Sequence, residues 1–196
     1  MATTLLVCGS ASAAGTTWTS HGPQGADIEA FTVDPGSGVI YAGGGQSVWS
    51  SSDGGTNWTK AGSTQSSVTW LGADPSGGVM YASNDFSSCP FERSTDGGAT
   101  WTRVCAGSSG SGEVAIDEVS GDLFAEFSGS AFTSTDQGQS WTSTGTGPAS
   151  VTSLAVAHGS PDQLYVGTYD GHVWRSDDAG ATFSDLGGLT THLRDG

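Results

Sequence analysis

The sequence predicts an all-β fold: a β-propeller of four-stranded antiparallel blades, four of them full, with a partial or composite fifth. Three observations predict it. One octet is written five times: "ASAAGTTW" (Ala11–Trp18), "SSDGGTNW" (Ser51–Trp58), "STDGGATW" (Ser94–Trp101), "STDQGQSW" (Ser134–Trp141) and "SDDAGATF" (Ser176–Phe183). Its closing aromatics stand at 18, 58, 101, 141 and 183, so they are spaced by 40, 43, 40 and 42 residues, the period of an array or propeller. The 196 residues include 32 glycines with abundant Ser and Thr, which suit tight turns between short strands, and no window sustains a helical period.

Each repeat reads as four strands. In the first full unit they are Ile28–Val33, Val39–Ala42, Ser47–Ser51 and Trp58–Ala61, separated by Gly, Pro, Asp and Ser. "FTVDPGSGVIYAGG" (Phe31–Gly44) parallels "LGADPSGGVMYASN" (Leu71–Asn84), and "LAVAHGSPDQLYVGT" (Leu154–Thr168) repeats the pattern with one insertion. Tyr41, Tyr81, Phe124 and Tyr165 form an aromatic column; Cys8, Val48, Phe91, Ala131 and Val173 form an apolar one, ten residues before each octet's end. One such sheet cannot bury both faces, so neighbours supply the rest of the core.

The expected organisation is a single domain over 1–196. Residues 1–22 form a partial blade, 28–62, 68–105, 112–145 and 151–187 full blades, and 188–196 the start of a further strand. That makes nineteen strands, one short of a closed five-bladed ring. Either the two ends share a composite blade or the chain is an arc of a larger propeller, the slightly preferred reading. An arc leaves sheet edges open to self-association.

Within the octet each fixed letter has a folding role. Asp53, Asp96, Asp136 and Asp178 accept hydrogen bonds from turn amides. Gly55, Gly98, Gly138 and Gly180 supply a backbone conformation that a β-carbon would strain. Trp58, Trp101, Trp141 and Phe183 plug between sheets. The octet resembles the Asp-box, or BNR repeat, with consensus Ser-x-Asp-x-Gly-x-(Thr/Ser)-Trp. The first copy departs from it with Ala13 for the Asp, and the second has Asn57 at the penultimate position. The resemblance spans the chain and implies the propeller fold without fixing an activity. Propellers carrying the box include sialidases, xyloglucan-active endoglucanases, sortilin-type receptors and photosystem II assembly factors.

Charge excludes several functions. Twenty acidic residues against five basic ones give −15, which disfavours nucleic acid and anionic membrane surfaces. The N-terminal apolar run "LLVC" has no basic residue before it, and it falls short of the ~7–15 residues of a signal core. The parent protein is nonetheless expected to be extracellular or periplasmic. No His/Cys set has zinc spacing and no glycine loop cradles phosphate, so no metal and no cofactor are expected.

Functional residues are expected at the end of the blades opposite the octets. The rim candidates for ligand binding are Asp85, Glu126, Tyr169, Asp170 and His172, with His21, Asp27 and Glu113 in the links between blades. A sialidase needs three arginines around the substrate carboxylate. Here Arg93 and Arg175 occupy equivalent third-strand positions, Arg103 follows an octet and Arg194 lies near the end, so that activity does not fit. "GTYDGHVWRSDDAG" (Gly167–Gly180) is similar to a xyloglucanase segment whose loop Asp is catalytic, which implies that role for Asp170. The second carboxylate such an enzyme requires has no counterpart in the sequence. Cys89 and Cys105 flank one hairpin and would face each other across an unbulged pair, as a disulfide of an oxidising compartment. The leading expectation is therefore a non-catalytic module that binds carbohydrate or protein at the rim. The alternatives are a truncated glycoside hydrolase module, xyloglucanase-like more than sialidase-like, and a self-associating arc.

Overall fold

The computed structural model describes residues 22–23, 27–83, 91–104, 112–127 and 129–188. Among the described residues sixteen strands form four separate antiparallel sheets, each meandering in sequence order. The first contains β1 (Ala30–Val33), β2 (Ile40–Gly44), β3 (Ser47–Ser51) and β4 (Thr59–Ser63). The second contains β5 (Trp70–Ala73), β6 (Met80–Ser83), β7 (Phe91–Ser94) and β8 (Thr102–Arg103). The third contains β9 (Gly112–Ile116), β10 (Leu123–Phe127), β11 (Ser130–Ser134) and β12 (Thr142–Thr146). The fourth contains β13 (Val151–Ala157), β14 (Gln163–Thr168), β15 (His172–Ser176) and β16 (Ser184–Gly188). The first octet copy and residues 189–196 lie outside the described residues.

The first strands stand nearest one another, β1 beside β5 and β9 beside β13. Apolar side chains fill the layers between sheets. Tyr41 and Val48 of the first sheet bury Leu71, Met80 and Trp101 of the second. Tyr81 and Phe91 of the second meet Val114, Leu123 and Trp141 of the third, with Tyr81 stacked on Phe91 at 5.4 Å.

The octets close the turns from third to fourth strand. In the second sheet Ser94 Oγ donates to Asp96 Oδ1 at 2.9 Å and accepts the Gly98 amide at 2.9 Å. Asp96 Oδ1 also accepts the Thr100 amide, and Thr100 Oγ1 donates to Oδ2 at 2.6 Å. Trp101 Nε1 donates to the Gly98 carbonyl at 2.9 Å. Asn57 fills the penultimate place equally well, its amide nitrogens reaching both oxygens of Asp53 at 2.9 and 2.7 Å. The fourth and fifth octet positions both have positive φ, with Gln137 and Ala179 standing where two copies have glycine. The octet carboxylates are thus spent on their own turns.

These turns also lock sheet to sheet. A Cβ at Gly62 in β4 would lie 2.2 Å from the Gly98 carbonyl oxygen; one at Gly145 in β12 would lie 2.4 Å from that of Ala181. The octet hairpin of one sheet therefore rests on a glycine of the sheet before it. Trp141 packs edge-on against Phe91 of the preceding sheet, ring centroids 5.6 Å apart. A β-bulge in the third-to-fourth strand pairing recurs in the first, third and fourth sheets, at Val48/Trp49, Ala131/Phe132 and His172/Trp174.

Candidate functional site at the rim of the fourth sheet

The antiparallel meander puts the second-to-third turns at the end opposite the octets. In the fourth sheet that turn is Thr168–His172, where Gly171 has φ +84°. Thr168 Oγ1 donates to Asp170 Oδ1 at 2.5 Å, and this bond holds the Asp170 carboxyl below the usual carboxylate range. His172 Nδ1 lies 2.8 Å from Asp185 Oδ2, across the strand pair from β15 to β16. Asp185 Oδ1 accepts the Gly187 amide at 2.7 Å; that bond and His172 lower the Asp185 pKa. Beside these groups Tyr169 projects into solvent, 87% exposed. The structure thus gathers Tyr169, Asp170 and His172 and adds Asp185, which sequence reasoning missed. Two carboxylates, an imidazole and an exposed aromatic ring stand at one end of the fourth sheet.

Glu126 sits elsewhere. It is 3% exposed, on the face of β10 that packs toward the fourth sheet, with Cγ 3.2 Å from where a Cβ at Gly147 would stand. Burial pushes its carboxyl up to about 7, against hydrogen bonds from the Gly129 and Ser130 amides. Its Oε1 finds no hydrogen-bond partner among the described residues. Glu113 is its register partner on β9. The column holding Glu126 reads Gly43, Ser83 and Gly167 in the other sheets, so a long acid here enters the layer between sheets rather than the open rim.

Asp27 is exposed. Asp85, His21, Cys89 and Cys105 lie outside the described residues. The described part of the Cys hairpin pairs Arg93 with Thr102, one residue off the register that would set the two cysteines opposite each other. Arg93 donates to Gln137 at 3.0 Å and Arg175 pairs with Asp177, so these two cations serve separate local contacts.

No family model matches the chain, and no curated protein does. Solved structures do. A GH74 enzyme from Niastella koreensis aligns with TM-score 0.65 and 16% identity over 80% of this chain and 24% of its own. An ancestral GH74 enzyme gives TM-score 0.65 and 17% identity over 84% of this chain and 24% of its own. An auxiliary nutrient binding protein from Bacteroides thetaiotaomicron gives TM-score 0.64 and 18% identity over 84% of this chain and 42% of its own. The chain thus spans less than half the length of each. The fold is a β-propeller.

In the propeller the four innermost strands border a cavity of about 560 Å³, lined by Val33, Trp70, Val114, Ile116 and Leu154, with Glu118 the one charged group among the described lining residues. Among the described residues that wall supplies no acid/base pair. Two further groups escaped the sequence reading. Glu92, 0% exposed, stands in a column occupied by Trp49, Phe132 and Trp174, and that break from aromatic to acid was the available signal. Asp117, His158 and Asp162 meet at the octet end of the propeller, between its third and fourth blades. Their signal was the insertion in "VAHGSPD". Among the described residues no helix is long and apolar enough to cross a membrane.

Proposed function

We propose that this propeller is a non-catalytic binding module that takes a carbohydrate at the rim of its fourth blade. The observation that carries the reading is the exposed Tyr169 ring in the same turn as Asp170, with Asp185 joined to that turn through His172; both acids hold their charge at neutral pH. A pyranose ring presents an apolar C–H face that stacks on an aromatic, while its hydroxyls donate to fixed anionic acceptors. Hydrolysis needs in addition an acid kept protonated near neutrality and aimed at the ligand. Asp170 and Asp185 are shifted the other way, and Glu126, which is shifted toward neutrality, is buried between blades.

The octet hydrogen bonds support membership among Asp-box propellers, in one domain with blades divided as the repeats divide. Likeness to a nutrient binding protein supports an extracellular or periplasmic setting. A second reading, a module of a glycoside hydrolase with Asp170 at its catalytic centre, is favoured by the two GH74 structures.

Affinity electrophoresis against xyloglucan, β-glucan and related polysaccharides, with reducing-sugar release measured in parallel, separates the readings. Retardation without sugar release, weakened by Tyr169→Ala roughly tenfold or more, is expected. Sugar release abolished by Asp170→Asn supports the hydrolase module. Neither retardation nor release across the panel overturns carbohydrate recognition and leaves a protein partner to be sought.

A further inference from the structure

We propose that Asp117, His158 and Asp162 form a binding site for a divalent first-row transition cation, of the Zn²⁺ class, joining the third and fourth blades. One ligand atom from each lies within 4.8 Å of the others. His158 Nδ1 is 2.6 Å from Asp117 Oδ2 and 3.6 Å from Asp162 Oδ1. A nitrogen with two carboxylate oxygens is a donor set such cations accept.

The surroundings are built before a cation arrives. Asp117 is fully buried, and its Oδ1 accepts the Val119 and Ser120 amides at 2.7 and 3.3 Å, which leaves Oδ2 directed at His158. Asp162 is buried too, and the Gly159 amide fixes its Oδ1 at 2.8 Å. His158 is half-exposed, so the remaining coordination positions open to water.

The sister turns show what a purely structural contact looks like here. Asp34 and Asp74 are the repeat equivalents of Asp117. Asp34 accepts the Gly78 amide of the next blade, and Asp74 accepts Gln137 Nε2, each a neutral donor. Among the described residues only the third blade's turn acid meets an imidazole together with a second buried carboxylate. A clasp needs one acid and one base; the extra buried acid adds repulsion unless more positive charge is present. No lysine or arginine forms an ion pair with these acids among the described residues. A divalent cation replaces the proton between His158 and Asp117 and balances both buried carboxylates.

The test is titration of the chelator-treated chain with Co²⁺, followed by visible absorption, and with Zn²⁺ by calorimetry. Expected is one tight site per chain, with a Co²⁺ d–d band that Zn²⁺ abolishes. Asp162→Asn, which keeps the His158–Asp117 contact, and His158→Ala should each weaken it roughly tenfold or more. Circular dichroism of both variants shows whether the blades remain folded. Absence of stoichiometric binding, or binding unchanged in folded Asp162→Asn, overturns the site and leaves an ion-paired clasp.

Discussion

Glu92 of β7 holds Gln65: both oxygens of its carboxylate lie 3.1 Å from the Gln65 amide nitrogen. Gln65 belongs to the link between the first and second blades, so one buried acid fastens a blade to the chain that enters it. Glu92→Ala leaves that amide without its acceptor and opens a void beneath it. The expected cost is about 2–4 kcal/mol, read from urea unfolding. Loss below about 0.5 kcal/mol would show that the link finds water instead.

Glu126 makes stability fall as pH rises toward neutrality. Its pKa is raised from 4.5 to about 7 by burial, so its contribution is full below about pH 4.5 and is lost as pH rises through 7. Glu126→Gln should therefore match the parent chain near pH 4 and exceed it at pH 8, by roughly 1–3 kcal/mol. Thermal unfolding at the two pH values measures the difference. A variant equally shifted at both would assign the effect to packing.

The octet acids work at the other end of the scale. Asp53, Asp96 and Asp136 are lowered from 3.8 to about 2, chiefly by the residue at the octet's seventh position. Their contribution is present above about pH 4 and is lost as pH falls toward 2. The melting temperature should decline over that window. The decline should be shallower in a chain carrying Asp96→Asn, which has one fewer such group to protonate.

Gly62→Ala tests the contact between blades. The new Cβ would lie 2.2 Å from the Gly98 oxygen and 2.6 Å from that of Ala99, both backbone atoms that cannot rotate away. A loss of about 1–3 kcal/mol is expected in chemical denaturation. The same change at Gly38, where nothing lies within 4 Å but φ is +71°, tests backbone strain alone and should cost less.

The repeat made the fold legible because each octet is local. Its Ser, Asp and Gly bond within eight residues in all four described copies, so spacing alone set the four blades. The expected third strand Ser47–Ser51 is the observed β3, and the expected fourth, Trp58–Ala61, lies slightly ahead of β4. The site was legible in part. Tyr169, Asp170 and His172 lie in one turn and were named together, but Asp185 joins them only through the β15–β16 pairing. Glu126 was read as a rim residue; which face of β10 it takes depends on strand parity, and that face meets the next blade. The Asp117–His158–Asp162 group draws on two blades, so no single stretch displays it.

The rim reading is tested most directly by two-dimensional NMR of the ¹⁵N-labelled chain, titrated with an oligosaccharide of the polysaccharide that retards it. Shifts concentrated at Tyr169–His172 and Asp185–Gly188, with the ligand recovered intact, are the predicted result. Shifts confined to the central cavity or the octet hairpins would contradict it.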